Sequence, residues 1–141
     1  MKVVDANVLI YSVDESSTYH LQARQWMDNA LSSNETVVIP WICLLAFIRI
    51  TTNRNFNQNP LTFTEALDYV DDWLGTPPVT TETLQTSIAG ELRQLINNAQ
   101  GGSNIVNDAY LAALAILNKA ELVSFDRDFS RFPGLTWVVP L

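Results

Sequence analysis

Short β-branched apolar runs alternate with much longer helical patterns along this chain, and that alternation constrains its fold more than any other feature. The runs Lys2 to Val4, Thr36 to Ile39, Leu122 to Phe125 and Thr136 to Val139 each have the length and residue types of a short buried strand. Thr18 to Leu31 reads as an amphipathic helix with Leu21, Trp26, Met27, Ala30 and Leu31 inward and His20, Arg24 and Asp28 outward. Pro40 suits the first turn of a helix running to about Thr52. Thr64 to Gly75, closed by Pro77-Pro78, and Thr81 to Asn97 supply two more. Gly101-Gly102-Ser103 breaks the chain before Asn107-Asp108 and a strongly helical stretch through Asn118. Strands separated by helices of roughly ten or more residues predict a three-layer α/β domain with a central, mainly parallel sheet.

The chain has 141 residues, 48% of them hydrophobic, enough to bury a core as one domain over residues 1–141. No stretch approaches the ~20 uncharged apolar residues of a membrane span, and Asp5 interrupts the N-terminus before a signal-peptide core could form. A cytoplasmic protein without membrane contact is expected. The single cysteine, Cys43, sits in the apolar run Trp41 to Ile50 and reads as a buried thiol, which excludes a disulfide framework. A net charge of −7 opposes broad attraction to nucleic acid. That objection weakens if the few basic residues surround one site, or if a basic partner covers the acidic surface.

Ligands of parallel α/β sheets bind beyond the carboxyl ends of the strands, so strand-end polar residues matter most. Asp5 follows Val3-Val4, Asp126 follows Val123-Ser124-Phe125, and Asp108 precedes the helix at Ala109. Aspartate is also a favoured helix cap, and each of these three is equally placed to be one. Asp128 could cap a turn or support the site. If the three converge, their repulsion calls for a cation, and oxygen-only donors select Mg²⁺ or Mn²⁺ over Zn²⁺. His20 reads as a surface residue, and Trp41, Phe47 and Trp73 read as core rather than base-stacking surface.

The segments Val3-Val4-Asp5-Ala6-Asn7, Asn107-Asp108-Ala109-Tyr110 and Ser124-Phe125-Asp126-Arg127-Asp128-Phe129 resemble the acidic motifs of PIN-domain ribonucleases. More closely, the chain is similar to VapC toxins of type II toxin–antitoxin systems, with the motifs in order over nearly its whole length. The resemblance implies RNA cleavage by water activated on Mg²⁺ (or Mn²⁺). Asp5 and Asp108 would be the principal ligands, Asp126 would complete the cluster, and Asn7 would orient Asp5. It also implies a homodimer and a VapB-like antitoxin that reaches into the acidic site.

One departure stands out. PIN nucleases usually carry a glutamate where this chain has Ala46, in Leu44-Leu45-Ala46-Phe47-Ile48-Arg49. The chain resembles the VapC branch with alanine there, and an introduced inactivating substitution is the alternative. Arg49, one helical turn on, should face the same side and meet either an RNA phosphate or one of the acids. Arg127 and Arg131 face the same two alternatives. Two rival functions draw on the same residues. An aspartyl-phosphate enzyme would need a lysine beside the acids, and neither Lys2 nor Lys119 is well placed. A weak or inactive PIN module that binds RNA or an antitoxin is favoured by Ala46 and by the acidic surface.

Overall fold

A computed structural model describes residues 1–83 and 85–141. Val3 and Val4 of β1 (Lys2–Val4) are completely buried, as β-branched residues in a strand covered on both faces must be. β1 is the middle of five parallel strands in the order β3 (Val79–Thr80), β2 (Val37–Val38), β1, β4 (Glu121–Val123), β5 (Trp137–Val138). Val3 lies opposite Val38 on one side and Leu122 on the other.

The chain steps outward from β1 through β2 to β3, then returns past β1 to β4 and β5. Right-handed crossovers made in opposite directions place their helices on opposite faces. The packing follows this rule. α1 (Ala6–Val13) contacts α2 (His20–Leu31) and α3 (Trp41–Thr51), and α3 contacts α4 (Phe63–Leu74). On the other side α5 (Ile88–Asn98) packs on α6 (Val106–Leu117), which lies against β1 and β4. The predicted three-layer α/β arrangement is therefore present. Its direction of winding reverses between β1 and β4, where an open parallel sheet leaves a crevice at its carboxyl edge.

α6 sits deepest of the helices. Ala109, Ala112, Ala113 and Ala115 are fully buried, and their small side chains let the helix approach the sheet closely. This carries Asp108, in its first turn, to the same edge as Asp5. No helix is long and apolar enough among the described residues to cross a membrane.

Several expectations shift. α5 starts at Ile88 rather than Thr81; residues 81–83 are not helical, Leu84 lies outside the described residues, and the Glu82 carboxylate instead accepts the Trp41 backbone N–H at 2.9 Å. α4 starts one residue earlier than the Thr64 opening, because Thr62 and Glu65 form a reciprocal capping box. β3 was not foreseen, being only two residues long. On α2, Met27 is buried and Trp26, Ala30 and Leu31 pack against the core as expected, but Leu21 is 79% exposed and Ala23 is fully buried instead. Phe47 and Trp73 are core as expected, but Trp41 is exposed at the start of α3.

Candidate functional site

Asp5 leaves β1 and caps α1 at once. Its Oδ1 accepts the Ala6 N–H at 2.7 Å. Its Oδ2 accepts the Ser124 hydroxyl at 2.7 Å and the Asn7 amide at 3.2 Å. Asn7 also donates to Ser124 Oγ at 3.0 Å and accepts the Phe125 N–H at 3.2 Å, so it bridges the ends of β1 and β4. Ser124 is completely buried, and its Oγ accepts the Asp126 N–H at 3.0 Å as well. One hydroxyl thus holds the carboxylate of Asp5 and the backbone of Asp126 in a fixed relation. Sequence reasoning passed over it. The available signal was a polar residue inside the apolar run Leu122 to Phe125.

Capping and site placement prove compatible. Asp126 caps the 3₁₀ turn Arg127–Arg131 through the Asp128 N–H (2.9 Å), as Asp5 caps α1. Asp108 does not cap; the α6 N-cap is Ile105, with no side-chain bond. Asp128 is 72% exposed and lies 3.7 Å from Arg131.

A cavity of about 350 Å³ opens between these elements, lined by Asp5, Cys43, Ala46, Arg49, Asn107 and Asp108 among others. Arg49 and Ala46 thus share one face, and among the described residues Arg49 has no ion pair. Asp126 and exposed Arg127 stand outside this lining. His20 directs its Nδ1 to the Tyr11 carbonyl at 2.8 Å and does not line the cavity either. Cys43 is 1% exposed, and burial with the nearby Asp5 charge pushes its thiol well above the usual range, as for an inert core thiol.

The electrostatics bind the three acids together. Burial pushes Asp108 up to about 6, and the charges of Asp5 and Asp126 push the same way, opposed by Arg131. Asp5 is also raised, by burial first and by Asp126 last, against the lowering bonds from Ser124 and Ala6. Arg131 is the nearest cation: its Nη2 lies 3.4 Å from Asp108 Oδ2. Their separation of 23 positions in the chain left no sequence signal for that pairing.

Residues 2–135 match the PIN domain family. The chain is 41% identical over 140 residues to ribonuclease VapC37 of Mycobacterium tuberculosis, covering 99% of this chain and 97% of that one. It belongs to the PIN-domain family, among the VapC ribonucleases. Ribonuclease VapC43 of the same organism is 33% identical over 141 residues, with 100% and 96% covered. Among solved structures, the M. tuberculosis VapC20 toxin, described as cleaving the sarcin-ricin loop, superposes with a TM-score of 0.69 at 16% identity, covering 96% and 99%. The DNA-bound VapBC of Salmonella typhimurium gives 0.69 at 17%, covering 99% and 98%. At such identities these two structures speak for the fold.

A PIN domain of this kind implies a divalent cation, and the donor chemistry here fits one. Carboxylates grouped so that the Asp5 and Asp126 charges raise the proton affinity of Asp108, and the Asp126 charge that of Asp5, with no nitrogen or sulfur donor free beside them, suit a hard, oxygen-seeking ion. Among the described residues, no three acidic, imidazole or thiol groups already stand close enough to enclose an ion. Asp5 and Asp108 line the crevice with Asp126 outside its lining, and Asp108 is turned toward Arg131. Where PIN nucleases usually carry a glutamate, Ala46 leaves open cavity.

Proposed function

We propose that this chain is a divalent-metal-dependent endoribonuclease and the toxin of a type II toxin–antitoxin pair, with Asp5, Asp108 and Asp126 as its metal-binding and catalytic acids. The observation that carries this is that Asp5 and Asp108, at the sheet's switch point, are both raised by burial first, with the Asp5 charge adding to Asp108 and the Asp126 charge adding to both. Bound Mg²⁺ (or Mn²⁺) would supply Lewis-acid polarisation of the phosphodiester and a water acidic enough to ionise near neutral pH.

The protein's own residues do the rest. Ser124, Asn7 and the Ala6 N–H hold the Asp5 carboxylate in one orientation, which is what a metal ligand needs to avoid reorganisation during reaction. Asp126 is fixed from the same hydroxyl through its backbone, while Asp128 supports the loop by its N–H bond to Asp126. Arg49, in the cavity wall without an ion pair, is placed to take a phosphate oxygen; Arg127, exposed beside Asp126, is placed to meet the RNA strand or a partner. RNA as substrate puts the working compartment in the cytoplasm.

The −7 charge of the chain, with Asp5 and Asp108 lining the crevice, suits a basic segment of a VapB-like antitoxin. A homodimer completes the assembly expected of a VapC protein. A second reading has one specific observation behind it. Ala46 leaves the cavity without a fourth carboxylate, which favours a weak or inactive module that binds RNA or antitoxin. Cleavage of RNA in Mg²⁺ or Mn²⁺ by the chain, by Asp5→Asn and by Ala46→Glu separates the two. Activity in the chain that disappears in Asp5→Asn supports the nuclease; activity seen only with Ala46→Glu supports the binding module. Cleavage that persists in Asp5→Asn removes the metal site from the account.

A further inference from the structure

Resting on that reading of the site, we propose that Arg131 is its resident counter-ion. The guanidinium holds Asp108 until a divalent cation takes the carboxylate, and once released it contacts an RNA phosphate. The seat is built for a cation yet grips it loosely. Nη2 meets Asp108 Oδ2 at 3.4 Å and Asp128 Oδ2 at 3.7 Å, both long for a charge-assisted bond. The group lies over the Phe132 ring, 5.5 Å from its centroid. Its Nε is sealed from solvent and has no acceptor among the described residues.

Room for the guanidinium comes from Gly101. A Cβ there would stand 3.2 Å from Arg131 Nη1 and 2.4 Å from Ile105 Cγ2, so a side chain at 101 would crowd the cation's seat. An arginine fork can engage both oxygens of one carboxylate or phosphate side by side. Here it makes one long contact to Asp108, so most of its donors are unspent. Such a group is released once a divalent cation takes the Asp108 carboxylate. Displacing it takes a modest share of the incoming ion's affinity, and the freed fork suits a phosphate beside the acids.

The direct test titrates Mn²⁺ alone into the full chain, Arg131→Gln, Arg131→Lys and Arg127→Gln, by calorimetry. Removing a competing cation from a part-buried ion pair should tighten Mn²⁺ binding roughly five- to tenfold in Arg131→Gln. Arg127→Gln, which deletes an equal charge from the same turn, should gain about twofold at most. Should the glutamine variant unfold, Arg131→Lys carries the comparison, with a gain of about threefold from the lost fork. Equal Mn²⁺ affinity in the chain and the Arg131 variants, or an equal gain in Arg127→Gln, overturns the proposal while leaving the metal site intact. No Mn²⁺ binding by any of the four overturns the site and this inference together.

The second arm measures binding of a short single-stranded RNA across a salt series, in EDTA and in Ca²⁺. With Ca²⁺, Arg131→Gln should weaken binding and reduce the slope of log K against log salt by about 0.7, one phosphate contact. In EDTA the substitution should change neither, because the guanidinium is engaged with Asp108. The same loss in both conditions would mean a fixed contact and no exchange.

Discussion

Replacing Ser124 with alanine deletes one oxygen atom from a completely buried position and should loosen the whole acidic edge. The hydroxyl donates to Asp5 Oδ2 at 2.7 Å and accepts from Asn7 and from the Asp126 backbone at 3.0 Å each. The bond to a carboxylate contributes about 1.5–3 kcal/mol, and the Asp126 N–H left without its acceptor adds about 1 kcal/mol. Asn7 retains a contact with Asp5 at 3.2 Å, which recovers part of the loss. A net destabilisation of about 3 kcal/mol follows, or roughly 2 M in the urea midpoint for a slope of about 1.5 kcal/mol/M. The Trp137 indole, which bonds the Ser124 carbonyl at 2.9 Å, is untouched and serves as a fluorescent reporter. A second readout is specific to the site. Ser124 holds the Asp5 carboxyl down, so in Ser124→Ala Asp5 should titrate higher than in the parent chain, followed by carboxyl-carbon NMR. A loss under about 0.5 kcal/mol with an unchanged Asp5 titration would refute the claim that this hydroxyl fixes the two acids.

Two further perturbations test the electrostatics and the frame. Asp108 sits at about 6 against an ordinary 3.8, so the folded chain keeps its proton where the unfolded chain has lost it. Its stability contribution is therefore intact below about pH 3.8 and declines as pH rises to about 6. After screening at a side chain 26% exposed, the deficit above that window is about 1–2 kcal/mol. In EDTA, Asp108→Asn should raise stability at pH 7.5 by about 1 kcal/mol and leave it unchanged at pH 3.5, by urea unfolding at both; equal effects at the two pH values would contradict it. Thr62→Ala removes half of the α4 capping box and should cost about 1 kcal/mol, with faster amide exchange in the first turn of α4 and not in α6.

The parallel sheet was legible because the short apolar, β-branched runs around β1, β2 and β4 have few other uses, and because helical spacing in α3 and α6 is long and consistent. β3 was not legible. Val79–Thr80 becomes a strand only because Val37 and Val38 offer it a parallel edge. The start of α5 was misplaced for a similar reason: Glu82 is drawn to the Trp41 backbone, an interaction 41 residues distant that local propensity does not register. Leu21 falls on the inward side by helical period, yet it is 79% exposed, and the small Ala23 is the residue fully buried on that turn.

At the site, Asp5, Asp108 and Asp126 could be located by reasoning that strand ends and helix starts converge at one edge. Their interdependence could not. It depends on burial around Asp5 and Asp108 and on charges brought together from separate segments of the chain. The same holds for the two supporting residues. Ser124 becomes a hub only when β1 and β4 lie side by side, and Arg131 meets Asp108 only once the turn after Asp126 folds back over α6. Ala46 is the reverse case: the sequence alone marked it, and the cavity shows what its small side chain leaves open.

The most direct test of the central claim is the affinity of the full chain for Mn²⁺ at pH 7.5, compared with Asp5→Asn, Asp108→Asn and Asp126→Asn. If the three acids form one metal site, each substitution weakens binding, the first two by about 30-fold or more, and RNA cleavage falls in parallel. Mn²⁺ binding of equal strength in all four proteins would contradict the account at its centre.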